Sequence, residues 1–232
     1  MRPATLLCVI GLVALGVAAC GGSKTASSDP TTLLANTAKR LDAVKAVHFV
    51  VAIDGEAYID TGRTVQLRVA NGDIVTPDQM QTKIKIAVGP ANLDVQLVTL
   101  GNDRYQTDLF TGRWGPAQPG FDYSPTVLFD KEKGLSTVVV KLRDVRQMPD
   151  EKVGGQDTAH LQGKADRALV EPLTSGAIDG DPITADLWID KATGNLLKLV
   201  LTEPQVPNKV KPAVWTLTFE KYDQPVTITR PQ

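Results

Sequence analysis

The chain has 232 residues, 42% hydrophobic and 22% charged, with a net charge of −1. That length supports one sizeable core in a single domain. The balanced charge, with no basic run, argues against a nucleic-acid partner and against a polybasic membrane patch.

Met1-Arg2-Pro3 leads into an apolar run, Leu6 to Val17. The run is too short to cross a bilayer, which needs about 20 residues. Val17-Ala18-Ala19 then precede Cys20. Small residues at that place mark a secretory cleavage site, so residues 1–19 are expected to be a signal peptide. Cys8 lies inside it and leaves with it, so the exported chain holds no internal disulfide and relies on its core. A lone cysteine at the cut resembles the lipobox of bacterial lipoproteins, in which the thiol takes a diacylglyceryl group and becomes the new N-terminus. The resemblance implies lipidation of Cys20 and a place at the cell membrane, on its extracytoplasmic face. Two acyl chains anchor stably where one is marginal. Residues 20–30, Cys20 followed by GGSKTASSDP, read as a lipidated flexible tether.

Residues 31–230 form the expected single domain. Thr31 to Val44 reads as a helix, capped by Asp29, Thr31 or Thr32, with Leu33, Leu34, Thr37, Ala38, Leu41 and Val44 on one face. From Val47 the period becomes two. VHFVVAID places Phe49, Val51 and Ile53 together, and RTVQLRVANGDIV places Val65, Leu67 and Val69 together. Asn71-Gly72-Asp73 is expected to turn a hairpin. MQTKIKIAV alternates through Ile84, Ile86 and Val88, and LDVQLVTL through Leu93, Val95 and Leu97. DRYQTD and Arg113-Trp114-Gly115-Pro116 end this antiparallel meander, apolar on one face and wet on the other. A Pro/Gly-rich connection leads to Ser124-Pro125, a helix start. Val127 and Leu128 lie in that segment. Leu135 to Leu142 satisfies both periods, and helix is favoured, with Leu135, Val138, Val139 and Leu142 on one side.

Strands resume with DVRQMPDEKVGG, DTAHLQGKA, ITADLWID, LLKLVLTE and VWTLTFEKYD, with a hairpin across Lys191 to Asn195. Their apolar faces carry Leu187 and Ile189, then Leu197, Leu199 and Leu201, then Trp215, Leu217 and Phe219. Roughly nine to eleven strands and two or three helices result. The expected fold class is α+β: a large curled antiparallel sheet, a half-barrel, with a few helices on its concave face.

Catalytic chemistry has little support. No serine sits in a Gly-x-Ser-x-Gly elbow. His48 and His160 lie in strands whose alternation is structural, and are expected at the surface or a sheet edge. Two distant histidines with no cysteine make a poor zinc set. Asp179-Gly180-Asp181 lacks calcium-loop spacing and reads as a solvated turn. No enzyme activity, metal or cofactor is expected.

Several stretches occur together in one order. They are the lipobox, LLANTAKRL, Ala46-Val47-His48-Phe49 followed by Gly55, Asn71 to Pro77, Trp114, Glu151 to Thr158, and Leu187-Trp188-Ile189-Asp190. In this order they resemble the LppX/LprA/LprF/LprG family of mycobacterial-type lipoproteins, over nearly the whole chain. The resemblance implies a half-barrel like LolA and LolB, and an apolar cavity that carries acylated lipids or glycolipids across the cell envelope. The implied partners are those lipids, the membrane reached through Cys20 and, as a candidate, a membrane lipid exporter. A monomer is expected. The apolar strand faces named above would line the cavity, and Val127, Leu128, Leu135, Val138, Val139 and Leu142 would form its mouth. Moving two acyl chains through water exposes about 30 methylenes, a penalty of about 24 kcal/mol at about 0.8 kcal/mol each. An enclosed pocket offsets that; a surface patch does not. Patterning alone does not separate a hollow interior from a filled one. The rival reading is an envelope lipoprotein that docks or assembles proteins without lipid cargo.

Overall fold

The computed structural model describes residues 29–117, 125–207 and 209–232. The signal segment, Cys20, most of the tether and most of the Pro/Gly-rich connection lie outside the described residues. Helix α1 (Pro30–Asp42) starts at the expected cap: the Asp29 carboxylate accepts the Thr32 N–H at 3.1 Å. Leu34, Thr37, Ala38 and Leu41 form its buried stripe.

The meander follows as β1 (Ala46–Asp54), β2 (Val65–Val75), β3 (Gln79–Val88), β4 (Ala91–Leu100), β5 (Asp103–Thr107) and β6 (Trp114–Pro116). A 3-10 turn (Pro125–Phe129) and α2 (Leu135–Val140) cross to β7 (Arg143–Gln147), β8 (Glu151–Val153) and β9 (Gln156–Ala165). Helix α3 (Arg167–Thr174) leads to β10 (Ile183–Asp190), β11 (Leu196–Thr202) and β12 (Val214–Glu220). The Val138-Val139-Val140 run is helical despite its β-branching. Leu135, Val138 and Val139 are all buried from α2, so tertiary burial outweighs local propensity.

The twelve strands form one sheet in the order β6-β5-β4-β3-β2-β1-β12-β11-β10-β9-β7, with β8 paired to β9. Every pairing is antiparallel, and β6 and β7 end the path, each without a further partner strand among the described residues. Helix α1 packs on α2 and touches β7, and the 3-10 turn reaches α2, α3 and β3, so the helices form one connected layer against the sheet.

Register places one apolar row across eight strands: Val95, Ile84, Ala70, Val51, Leu217, Leu199, Leu187 and Leu161. None of these side chains is more than 3% exposed. They belong to one cluster with the inner faces of α1, α2 and α3.

Two strand readings are corrected. Asn71-Gly72-Asp73 does not turn the chain; it lies inside β2, opposite Val50-Phe49-His48 of β1 and Lys83-Thr82-Gln81 of β3. The turn comes later, at Thr76-Pro77. Gly72 serves close approach instead: a Cβ there would lie 2.0 Å from the Gln81 carbonyl oxygen. Val69 is not on the concave face. A bulge between Leu67 and Val69 inserts one residue and reverses the parity of β2, so Ala70, Gly72 and Ile74 face inward. Val69 stands opposite the exposed residues Ala52 and Lys85, on the outer face. Val88, the last residue of β3, is 36% exposed.

Asp223 ties three elements together. Its carboxylate accepts the Lys45 N–H at 2.8 Å and the Arg40 guanidinium at 2.6 Å, and its own N–H donates to the Ala46 carbonyl at 2.7 Å. Burial alone would raise its carboxyl pKa, but the Lys45 N–H and the Arg40 cation outweigh it and hold the pKa below the usual value. A depressed folded pKa stabilises above the unfolded value, about 3.9, and that contribution is lost as pH falls through the folded pKa. Asp223→Asn should therefore cost about 1 kcal/mol at pH 7. The gap to the parent should shrink in thermal melts below about pH 4; a gap independent of pH would refute the assignment.

Candidate functional site

Where α1 ends, the helical layer and the sheet part to leave a cleft of about 1040 Å³. That is at the upper end of the range for small-molecule sites, about 300–1,000 Å³. Leu41, Val44 and Lys45 border it from α1 and its C-terminus. Thr76, Pro77 and Arg104 border it from the sheet, Thr126, Val127 and Phe129 from the 3-10 segment, Asp130 to Lys133 from the turn after it, and Pro172 and Ser175 from α3 and its C-terminus. Leu41 and Val44 are buried and Val127 and Phe129 half-buried, whereas Asp42, Lys45, Lys131, Glu132 and Lys133 are exposed. The opening is thus apolar at depth and charged at its rim.

The rim is held by local chemistry. The Asp130 carboxylate accepts the Lys133 N–H at 3.0 Å and the Glu132 N–H at 2.8 Å, which hold its carboxyl below the usual range. The Phe129 ring meets Phe219 of β12 edge-on, centroids 6.0 Å apart, and links the helical layer to the concave wall.

Most of the sequence-predicted lining converges behind this cleft. Phe49, Val51, Ile53, Leu67, Ile84, Ile86, Val95 and Leu97 join Leu187, Ile189, Leu199, Trp215 and Leu217 from the other half of the sheet. Leu128, Leu135, Val138 and Val139 meet them from the helical layer, with Val65, Val127 and Leu142 packed partly buried against them. Of the predicted mouth residues only Val127 borders the opening; the others point into the core. Sequence reasoning missed Lys45, Thr76, Pro77, Arg104 and Asp130 to Lys133. They sit in turns and strand ends, where no apolar period marks them.

Among the described residues the concave row is packed, not open: none of its eight members borders the cleft. Two polar atoms inside this packing make no hydrogen bond among the described residues, Thr37 Oγ1 from α1 and Trp215 Nε1 from β12. A buried polar group without a partner costs about 1–3 kcal/mol.

The histidines take no part. His48 lies on the outer face of β1, with Nδ1 2.8 Å from Asp73 Oδ1. It sits mid-sheet, not at an edge. His160 is buried on the outer face of β9, stacked on Trp188 at 4.2 Å, with Nε2 2.9 Å from Asp186. Lys198 covers the Trp188 ring at 4.2 Å. Among the described residues no group of three His, Cys, Asp or Glu side chains could hold a metal ion.

A sequence model of the LppX_LprAFG lipoprotein family matches residues 29–228. The chain is 22% identical to the lipoarabinomannan carrier protein LprG of Mycobacterium leprae, covering 93% of this chain and 90% of that protein. It is 25% identical to LprF of Mycobacterium bovis, named as a proposed diacylated glycolipid transporter, covering 99% and 94%. The crystal structure of LprF from M. bovis superposes with a TM-score of 0.68 at 20% identity, covering 87% of this chain and 96% of that one. That of the Mycobacterium tuberculosis lipoprotein LppX gives 0.59 at 18% identity, covering 87% and 100%. These two share the half-barrel fold.

Proposed function

Since the chain belongs to the LppX_LprAFG lipoprotein family, we propose that it is a membrane-anchored carrier of acylated lipids or glycolipids, held by lipid on Cys20 and moving cargo across the cell envelope. Residues 1–19 are its signal peptide, residues 20–30 its tether and the domain from residue 31 its cargo-binding body. The acyl chains pass through the cleft beside α1 and lie between the concave face and the helical layer, in place of helix-to-sheet contacts. The observation that carries this reading is the apolar row across eight strands, roofed by a helical layer that opens at one end into the cleft of about 1040 Å³. Cargo contacts replace apolar contacts with apolar contacts, so displacing the layer costs little net burial once the chains are in. Cargo also supplies what the packed interior lacks: an ester carbonyl can accept from Trp215 Nε1 or Thr37 Oγ1. The names of LprG and LprF point to the same class of cargo.

The test uses residues 20–232 carrying Cys20→Ala, so that no acyl anchor confuses the readout. Organic extracts of the purified protein should contain acylated lipid by mass spectrometry, and a fluorescent acyl probe should bind saturably. Val127→Trp, at the cleft, should slow probe uptake about tenfold while the melting temperature stays near the parent's. An empty extract together with no probe uptake by the parent would refute the carrier reading.

A further inference from the structure

Five large apolar side chains are exposed among the described residues: Val88, Leu109, Phe110, Val140 and Val210. Two of them are adjacent at one turn, the tip of the β5–β6 hairpin, where Phe110 is 89% exposed. The turn that carries this ring is closed by its own hydrogen bonds. Asp108 Oδ1 accepts the Phe110 N–H at 3.1 Å, the Thr111 N–H at 2.8 Å and the Thr111 hydroxyl at 2.9 Å. The Asp108 N–H donates to the Arg113 carbonyl, and the Gly112 N–H to the Asp108 carbonyl, both at 2.9 Å. Gly112 closes the turn at φ +68°, a conformation that suits glycine. The acid of the tip is spent inside the turn, bound by the Thr111 N–H and hydroxyl and the Phe110 N–H, which lower its pKa. The neighbouring Arg113 is exposed and makes no ion pair among the described residues. Behind the tip the hairpin carries Trp114 and Tyr105, with Arg230 over the Tyr105 ring at 5.0 Å.

We propose that the β5–β6 tip, Leu109-Phe110 beside Arg113, is a membrane-contact finger that dips into the headgroup layer of a bilayer bearing anionic lipid. An aromatic and an aliphatic side chain, an exposed guanidinium and amphipathic Trp and Tyr behind them match the chemistry of that layer. A protein partner fits worse, because a stable interface needs about 800 Å² on each side and two side chains offer far less. Strand addition is also disfavoured: β6 spans three residues and ends in Pro116, which has no N–H. The anchor sets the distance to the bilayer; the finger sets orientation during cargo exchange. That role in exchange rests on the carrier reading; the membrane contact itself does not.

The experiment is flotation of residues 20–232 carrying Cys20→Ala with phosphatidylglycerol/phosphatidylethanolamine vesicles, compared with phosphatidylcholine vesicles. The parent should bind the anionic vesicles. Phe110→Ser should weaken that binding about tenfold, and Arg113→Gln about fivefold on anionic vesicles with no change on phosphatidylcholine. Both sites are exposed, so circular dichroism and melting should match the parent. Acyl-probe uptake from solution should be unchanged in Phe110→Ser, while probe transfer between vesicles slows. No vesicle binding by the parent, or binding that Phe110→Ser leaves intact, overturns the proposal. Loss of self-association as the sole effect of Phe110→Ser also overturns it, since the tip would then meet a second copy. A parent that takes up no probe but still binds vesicles through Phe110 removes the carrier reading and leaves the finger standing.

Discussion

Lys209→Met should destabilise the domain by about 3–5 kcal/mol, because it strands a buried carboxylate. The Lys209 and Glu203 side chains are 1% and 0% exposed, with Nζ 2.6 Å from Oε1. Lys209 Nζ also reaches Asp179 Oδ2 at 3.1 Å and the Ala177 carbonyl at 3.2 Å. The Glu203 carboxylate accepts the Asp179 N–H at 2.5 Å and the Ala213 N–H at 2.7 Å. One ion pair thus fastens the segment before β10, the end of β11 and the approach to β12. Removing the cation alone leaves a charge in a dry site. Adding Glu203→Gln neutralises that charge and keeps an acceptor for a backbone N–H, so the double variant should regain about half the loss. Urea unfolding read by Trp fluorescence checks both. A single Lys209→Met variant within about 1 kcal/mol of the parent would mean that the pair is not the fastening.

Gly72→Ala is the second large effect, about 3 kcal/mol or more. The added methyl would sit 2.0 Å from the Gln81 carbonyl oxygen and 2.7 Å from Thr82 Cα. Both are backbone atoms of β3, so no rotamer change relieves the clash and the β2–β3 ladder must part. Gly72 also faces Phe49 across β1, at the middle of the concave wall. The variant should therefore lose acyl-probe uptake along with stability, measured on the same preparation. An exposed control in a glycine turn, Gly154→Asn, meets no atom within 4 Å and should change neither by more than about 0.5 kcal/mol, because asparagine tolerates the left-handed backbone there.

Much of this architecture is written in local pattern. The alternation of Met80 to Ile86, the turn at Lys191 to Asn195 and the cap at Asp29 each depend on near neighbours, and each is where periodicity places it. Asn71-Gly72-Asp73 misleads because the same dipeptide serves a tight turn or a close strand crossing, and only the partner strand decides. Val69 misleads because a bulge shifts parity without a composition signal. The mouth is harder still. Lys45, Thr76, Arg104, Asp130 and Pro172 are far apart in the chain and share no period; the fold alone assembles them. The Lys209–Glu203 pair shows neither charge run nor spacing, since its further partners, the Ala177 carbonyl and the Ala213 N–H, come from distant parts of the chain. Phe110 reads as an ordinary loop residue until its exposure and the hydrogen bonds of its turn are seen.

The sheet order has a consequence for how the chain matures. Strands β1 and β12 pair at the centre of the sheet, with one meander running outward on each side. A chain delivered N-terminus first completes β1 long before its neighbour exists, and β1 waits with an unpaired hydrogen-bonding edge. Only the final strand joins the two halves, a contact between distant parts of the sequence that is intrinsically slow to form. Until then β1 and β11 each present an open hydrogen-bonding edge, the feature that favours unwanted strand pairing. The seam between first and last strands is therefore the step at which this protein is most exposed to aggregation, and the one a chaperone would have to guard.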